Sequence, residues 1–144
     1  MESLSTQFTA ATMMVVLCVA MHGLGLASLN RLMRTEAAVE RLKRINPLSP
    51  RGTAFTMFIV LSMFALHGLE IWLFAVFYWL SGAVPTFESS LYFSTISYST
   101  VGYNDTHILP SWRLLGAFES ILGVFLLGWS TAFFFRMLGR IEAH

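Results

Sequence analysis

The sequence predicts an all-α membrane protein with three transmembrane helices and one shorter helix that enters the membrane without crossing it. Of the 144 residues, 56% are apolar and only 12% are charged, whereas soluble domains carry about 25% charged residues. The few charges leave three apolar stretches of about 20 residues, the length that a helix needs to cross the bilayer core. We therefore expect no separate soluble domain within these residues.

The first transmembrane helix is predicted over residues 1–30. Glu2 precedes its apolar stretch, and Arg31 and Arg34 follow it. A cleavable signal peptide carries positive charge before its apolar run, so this order of charges favours an uncleaved helix with its N-terminus outside. The single cysteine, Cys18, lies within this helix and is expected to pack as a small apolar residue.

Residues 31–52 form a basic loop that holds six of the nine lysine and arginine residues. Short loops rich in these residues stay in the cytoplasm, so we place this loop on the cytoplasmic side. Its apolar residues recur at near-helical spacing, which favours an interfacial helix on the membrane surface. A solvated basic linker is an equally weighted interpretation.

The second and third transmembrane helices are predicted over residues 53–80 and about 112–138, with a cytoplasmic tail over 139–144. Between them, Thr86 is expected to cap a short helix over 87–98. This helix is too short to cross the bilayer, and irregular backbone at membrane depth is tolerated only where protein buries it or water fills a cavity. The pattern therefore predicts a re-entrant loop.

The run that follows this short helix, residues 97–105, reads S-Y-S-T-V-G-Y-N-D. It resembles the selectivity filter of potassium channels, whose family pattern is T-x-x-T-V-G-Y-G-D. The resemblance covers roughly residues 53–138, the pore domain of that family with outer helix, pore helix, filter and inner helix. It implies a homotetramer in the lipid bilayer, because four copies of the loop build the carbonyl rings that bind K⁺. K⁺ is then the permeant ion, and no cofactor is expected.

By this resemblance, the backbone carbonyls of Thr100, Val101, Gly102 and Tyr103 form the ion sites. The side chains of Val101 and Tyr103 would point away from the ions and pack against the pore helix. Successive carbonyls reach one axis only if the backbone alternates in handedness, which predicts a positive φ at Gly102.

The outer mouth departs from the family pattern. Asn104 replaces the second glycine, and asparagine enters the left-handed region more readily than most residues. Ion occupancy and resistance to inactivation are the properties that this change puts in question. Ile96 stands where many members have a glutamate that pairs with the aspartate after the filter, here Asp105. Tyr92 is the candidate donor to Asp105 instead, and an insertion at 106–109 lengthens the outer linker.

Two glycines of the third helix are candidates for gating. Gly123 falls where the family keeps a hinge glycine, and Gly128 is the second candidate. A glycine makes a helix less stiff, which would allow the inner helices to separate at their cytoplasmic ends. The alternative interpretation, with equal weight, is that both glycines only permit close helix packing.

Ionisable residues at membrane depth are functional candidates because burying them is costly. His67, Glu70 and Glu119 are such residues here, and His67 and Glu70 share one helix face. The two acids could share a proton, or His67 could pair with one of them. A structural hydrogen-bond network is the favoured interpretation and a pH-sensitive gate the alternative. His22 in the first helix is expected to be a structural donor.

Together these features predict a K⁺-selective channel of the plasma (inner) membrane with a cytoplasmic C-terminus. A weakly selective monovalent cation channel and a non-conducting membrane scaffold subunit are the alternatives. No enzyme is expected, because no nucleophile, phosphate loop or metal-ligand pattern is recognisable in the sequence. The net charge of +1 is too small to suggest a nucleic-acid partner. No span has arginines at regular intervals, so a voltage sensor is not expected.

Overall fold

The computed structural model describes residues 3–34, 49–102 and 108–142, with side chains described as far as residue 139. Within these ranges the chain forms four α-helices and one 3₁₀ turn. They are α1 (Leu4–Leu32), α2 (Pro50–Leu80), α3 (Phe87–Tyr98), the 3₁₀ turn Pro110–Trp112 and α4 (Arg113–Glu142). Three helical segments are long and apolar enough to cross a membrane: Leu4–Leu32, Pro50–Leu80 and Pro110–Gly139. The predicted fold class is therefore confirmed.

Local capping explains where the helices begin and end. Ser49 accepts a hydrogen bond from the backbone of Gly52 (3.2 Å) at the start of α2, with Pro50 in the first turn, where proline loses no helical bond. Thr86 accepts from the backbone of Ser89 (3.1 Å) and begins α3, as predicted. Gly82, with φ of 69°, lies just beyond the end of α2 in the left-handed conformation that glycine adopts readily.

The re-entrant helix α3 packs between α2 and α4, and α1 lies against the other side of this pair. The main apolar core fills the space among all four helices. Its largest buried side chains include Phe74 and Tyr78 of α2, Phe93 and Tyr98 of α3, and Leu115 and Leu126 of α4.

A second, smaller cluster joins the end of α1, the beginning of α2 and the end of α4 through Met33, Ile59 and Met137. These three helix ends therefore lie at one end of the bundle. Gly25 brings α1 close to α2, since a Cβ at this position would lie 2.7 Å from Leu66 Cδ1.

The helix bounds differ from the predicted ones by a few residues. α2 begins at Pro50 rather than Thr53, because Ser49 and Pro50 together form its start. α4 continues to Glu142, four residues beyond the predicted end near Leu138. The interfacial helix predicted within the basic loop falls largely on residues 35–48, which lie outside the described residues.

Candidate functional site

The filter-like segment begins directly at the C-terminal end of α3. Ser99 caps this helix, and the Thr100 backbone N–H donates to the Ser97 carbonyl (3.1 Å). The Gly102 backbone N–H donates to the Ile96 carbonyl at 3.5 Å. The carbonyl end of a helix carries partial negative charge, so Thr100, Val101 and Gly102 lie where a cation is favoured.

Two details of this segment differ from what the resemblance implies. The positive φ lies at Thr100 (57°), whereas none is found at Gly102. The segment instead continues from the end of α3 with a long hydrogen bond from the Gly102 backbone N–H to the Ile96 carbonyl (3.5 Å). The Val101 side chain is 81% exposed, so the expected packing of Val101 against the pore helix is not seen within one chain.

Of the residues predicted at the outer mouth, only Tyr92 lies within the described ranges. Tyr103, Asn104 and Asp105 lie outside the described residues. Tyr92 is on α3, as predicted, and its side chain is 62% exposed. Its hydrogen bond to Asp105 stays a prediction.

Five buried side chains from all four helices form a closed ring of contacts, here called the Glu70 cluster: His22, His67, Glu70, Tyr98 and Ser130. His22 Nδ1 lies 2.8 Å from Glu70 Oε1, and His67 Nδ1 lies 3.2 Å from Glu70 Oε2. The Tyr98 hydroxyl donates to Glu70 Oε2 and lies 2.7 Å from His67 Nδ1. Ser130 Oγ lies 3.0 Å from His67 Nε2 and 3.3 Å from His22 Nε2.

The structure thus pairs His67 with Glu70, one of the two pairings that the sequence left open. His22, which was expected to be a structural donor, makes a second contact with the same carboxylate. Tyr98 lies two residues before Thr100, so the cluster connects α1, α2 and α4 to the last turn before the filter-like segment.

Glu119 of α4 forms a separate buried network. The Tyr78 hydroxyl of α2 donates to Glu119 Oε2 at 2.7 Å. The Ser94 hydroxyl of α3 lies within hydrogen-bond distance of both Glu119 Oε1 and the Ile71 carbonyl. Glu119 is fully buried and shares no hydrogen bond with Glu70 among the described residues. It therefore joins the outer, pore and inner helices through its own partners.

The two gating glycines have different surroundings. A Cβ at Gly123 would lie 2.0 Å from the Tyr98 carbonyl oxygen, so α4 touches the backbone at the end of α3 at this point. Close packing by itself requires glycine there. A Cβ at Gly128 would meet no atom within 4 Å, and its role as a hinge stays a prediction.

Sequence reasoning missed the hydroxyl partners of the buried acids, Tyr78, Ser94 and Tyr98, and the Ser130 hydroxyl that lies between the two histidines. The available signal was their position as polar residues within otherwise apolar helices, where each must find a hydrogen-bond partner. That signal identifies buried polar groups but does not say which partner each one contacts.

Comparison with known proteins supplies one match. Residues 66–140, slightly more than half of the chain, match a protein-family model described as ion channel. The matched region begins in α2, runs through α3 and the filter-like segment, and ends in α4. No curated protein and no solved structure matches the chain.

Proposed function

This chain belongs to the ion channel family, with a pore domain of the two-helix, potassium-channel type, and from that premise we propose that it conducts K⁺ selectively as a homotetramer. The observation that carries the proposal is the position of the T-V-G-Y segment, which starts at the carbonyl end of a buried short helix between two membrane-length helices. A dehydrated K⁺ needs a ring of oxygens in place of its water shell. One chain supplies a quarter of each ring.

The architecture of the chain supports this proposal through the placement of the pore helix. Tyr98 at the end of α3 is held by the Glu70 cluster, and its backbone packs against Gly123 of α4. Ser94 in the middle of α3 contacts Glu119 of α4. These contacts hold the helix that precedes the filter-like segment against both membrane-length helices of the pore domain, so the segment starts from a helix that is packed on two sides.

The arrangement of helix ends supports a cytoplasmic location for both the basic loop and the C-terminus. The end of α1, the start of α2 and the end of α4 meet in one apolar cluster. Arg34 and Arg136 are adjacent in sequence to Met33 and Met137, and Arg51 lies in the first turn of α2. The positive-inside rule assigns this end to the cytoplasm. The N-terminus of α1 then lies outside, and the filter-like segment opens toward the outer side.

Flux measurements on purified protein in K⁺-loaded liposomes test the proposed transport. We expect K⁺ efflux from the wild type and background efflux from Gly102→Ala. Within one chain a Cβ at Gly102 would meet no atom within 4 Å, but in the proposed tetramer four added methyl groups would crowd the carbonyl rings. Gly139→Ala is the matched control, since its Cβ would meet no atom within 4 Å and its efflux should equal that of the wild type. K⁺-selective efflux from Gly102→Ala, or none from the wild type in correctly assembled protein, would contradict the proposal.

A weakly selective monovalent cation channel is the second candidate, and Asn104 is the observation that favours it. A side chain at the position of the second filter glycine changes the outermost carbonyl ring. The reversal potential in mixed K⁺ and Na⁺ separates the two candidates: a value near the K⁺ equilibrium potential supports K⁺ selectivity, and a value near zero supports the weakly selective pore.

A further inference from the structure

We propose that His22, His67 and Glu70 form a binding site for a divalent transition metal ion, with Zn²⁺ the ion that best suits the donor set. One ligand atom from each residue lies within 4.8 Å of the others, and all three side chains are buried. Two imidazole nitrogens and one carboxylate oxygen are a common set of protein ligands for Zn²⁺. The inference does not depend on the proposed K⁺ transport.

The geometry of the three donors fits a small tetrahedral ion. His22 Nδ1 and His67 Nδ1 face the two oxygens of the same carboxylate at 2.8 and 3.2 Å. Bonds of about 2.0–2.1 Å to a tetrahedral ion place neighbouring ligand atoms about 3.4 Å apart. The carboxylate and each histidine would have to move apart by a few tenths of an ångström, and any pair of ligand atoms near the 4.8 Å limit would have to move closer together on binding. The Tyr98 hydroxyl, 2.7 Å from His67 Nδ1, is within reach as a fourth oxygen ligand.

Ser130 provides the outer contacts that such a site requires. Histidines that bind a metal through one ring nitrogen usually donate the N–H of the other to an acceptor, which fixes the tautomer and the ring orientation. Here the Nε2 atoms of both histidines point to the same hydroxyl oxygen, at 3.0 and 3.3 Å. A serine oxygen can accept two hydrogen bonds. If both Nε2 atoms donate to Ser130, both Nδ1 lone pairs face Glu70.

The ring of the Glu70 cluster lacks one proton if both imidazoles are neutral and Glu70 is ionised, and either a further proton or a metal ion can supply the missing positive charge. The ring consists of five contacts, and each needs one proton between its two atoms. Two neutral imidazoles and two hydroxyls supply at most four protons when Glu70 is ionised. Without a further cation, one contact would join two acceptors and a buried carboxylate would lack a counter-charge, which is costly at membrane depth. A metal ion between the two Nδ1 atoms and Glu70 supplies that charge.

Binding of a metal ion here would connect the first helix to the pore domain. His22 comes from α1, outside residues 66–140 that match the family model, whereas His67 and Glu70 lie within them. The ion would therefore cross-link α1 to α2 immediately beside Tyr98, the last residue of the pore helix.

Purified full-length protein in mild detergent, stripped with chelator and then loaded with Co²⁺ or Zn²⁺, tests the proposal. We expect one metal ion per chain by elemental analysis after gel filtration. Co²⁺ should show the visible absorption of a tetrahedral site, and Zn²⁺ should displace it. Zn²⁺ should also raise the melting temperature, because a ligand that binds the folded state stabilises it.

Single conservative substitutions identify the ligands. His22→Gln, His67→Gln and Glu70→Gln should each weaken binding by at least about tenfold, with helix content and assembly state checked on the same samples. Glu119→Gln, a matched change of the other buried acid, and Cys18→Ala should leave binding unchanged. No tetrahedral Co²⁺ spectrum in the folded wild type would overturn the proposal and leave a proton as the additional cation. Undiminished binding in all three glutamine variants would also overturn it.

Discussion

At the scale of single residues, Glu119 shows how a buried acid is accommodated by its partners. Its two oxygens face hydroxyls from two different helices, Tyr78 at 2.7 Å and Ser94. Ser94 has one proton to donate, and the Ile71 carbonyl competes for it at 2.9 Å. A protonated Glu119 can donate to Ser94, which then donates to Ile71, whereas an ionised Glu119 accepts from both hydroxyls. The network is therefore compatible with either protonation state.

Substitutions at Glu119 should separate the structural role from the pH-sensitive one. Glutamine can accept from Tyr78 and donate to Ser94, so Glu119→Gln should melt within a few degrees of the wild type. Glu119→Ala removes the carboxylate partner of Tyr78 and leaves a cavity, which should cost about 2–4 kcal/mol by thermal or chemical denaturation. Equal stability of the two variants would contradict the proposed network.

The pH dependence of K⁺ flux tests whether Glu119 also acts as a pH-sensitive gate. If Glu119 acts as a pH-sensitive gate, the wild type should respond to pH and Glu119→Gln should not, because the amide cannot be ionised. Identical profiles for the two proteins, with normal assembly, would support the structural interpretation alone.

At the scale of secondary-structure elements, the contact between α3 and α4 places the filter-like segment. Gly123 allows the α4 backbone to approach the Tyr98 carbonyl, two residues before Thr100. Tyr98 is also held through its side chain by Glu70 of α2. At the end of the pore helix, α4 therefore packs against the Tyr98 backbone, and the Glu70 cluster binds the Tyr98 side chain.

Gly123→Ala should displace the end of α3, because a Cβ 2.0 Å from a backbone oxygen cannot be accommodated by moving a side chain. We expect a loss of about 1–3 kcal/mol or more, as is typical of overpacked sites, together with reduced K⁺ flux. The same substitution at Gly139 is the control for both measurements. A Gly123→Ala protein with wild-type stability and flux would show that α4 and α3 do not pack as described.

At the scale of the whole molecule, one chain holds the filter-like segment at the end of α3, but its described residues do not enclose an ion pathway. Thr100, Val101 and Gly102 lie at an exposed end of α3, and many large apolar side chains on the outer faces of the helices are also exposed, among them Leu24, Phe64 and Phe125. Such faces suit contact with lipid or with neighbouring subunits. Both are expected of a membrane protein that assembles around a central axis.

The mass of the complex in mild detergent tests the proposed assembly. We expect a protein mass four times that of the 16.2 kDa chain, after correction for bound detergent. Gly102→Ala should retain this mass, because it affects the ion pathway and not the helix contacts. A stable monomer or dimer that conducts K⁺ would contradict the four-fold pore.

Much of the architecture follows from local properties of the chain. Three apolar stretches of bilayer length and the capping residue Thr86 were enough to predict the membrane helices and the position of α3. His67 and Glu70 were predicted to share a face because they are three residues apart on one helix. The positive φ expected at Gly102 was not found and lies at Thr100 instead, because the backbone conformation of the loop depends on its tertiary contacts and not on the residue type alone.

The sequence by itself determined the fold class and the family resemblance, because hydropathy, capping and the T-V-G-Y run are properties of consecutive residues. Only the tertiary structure decided that His22 contacts Glu70, that Tyr78 and Ser94 contact Glu119, and that Gly123 packs on Tyr98. The membrane helices are apolar on nearly all sides, so no apolar stripe indicates which face of each one points inward. The rotation of each helix, and with it the partner of every buried polar group, is set by close packing among all four helices.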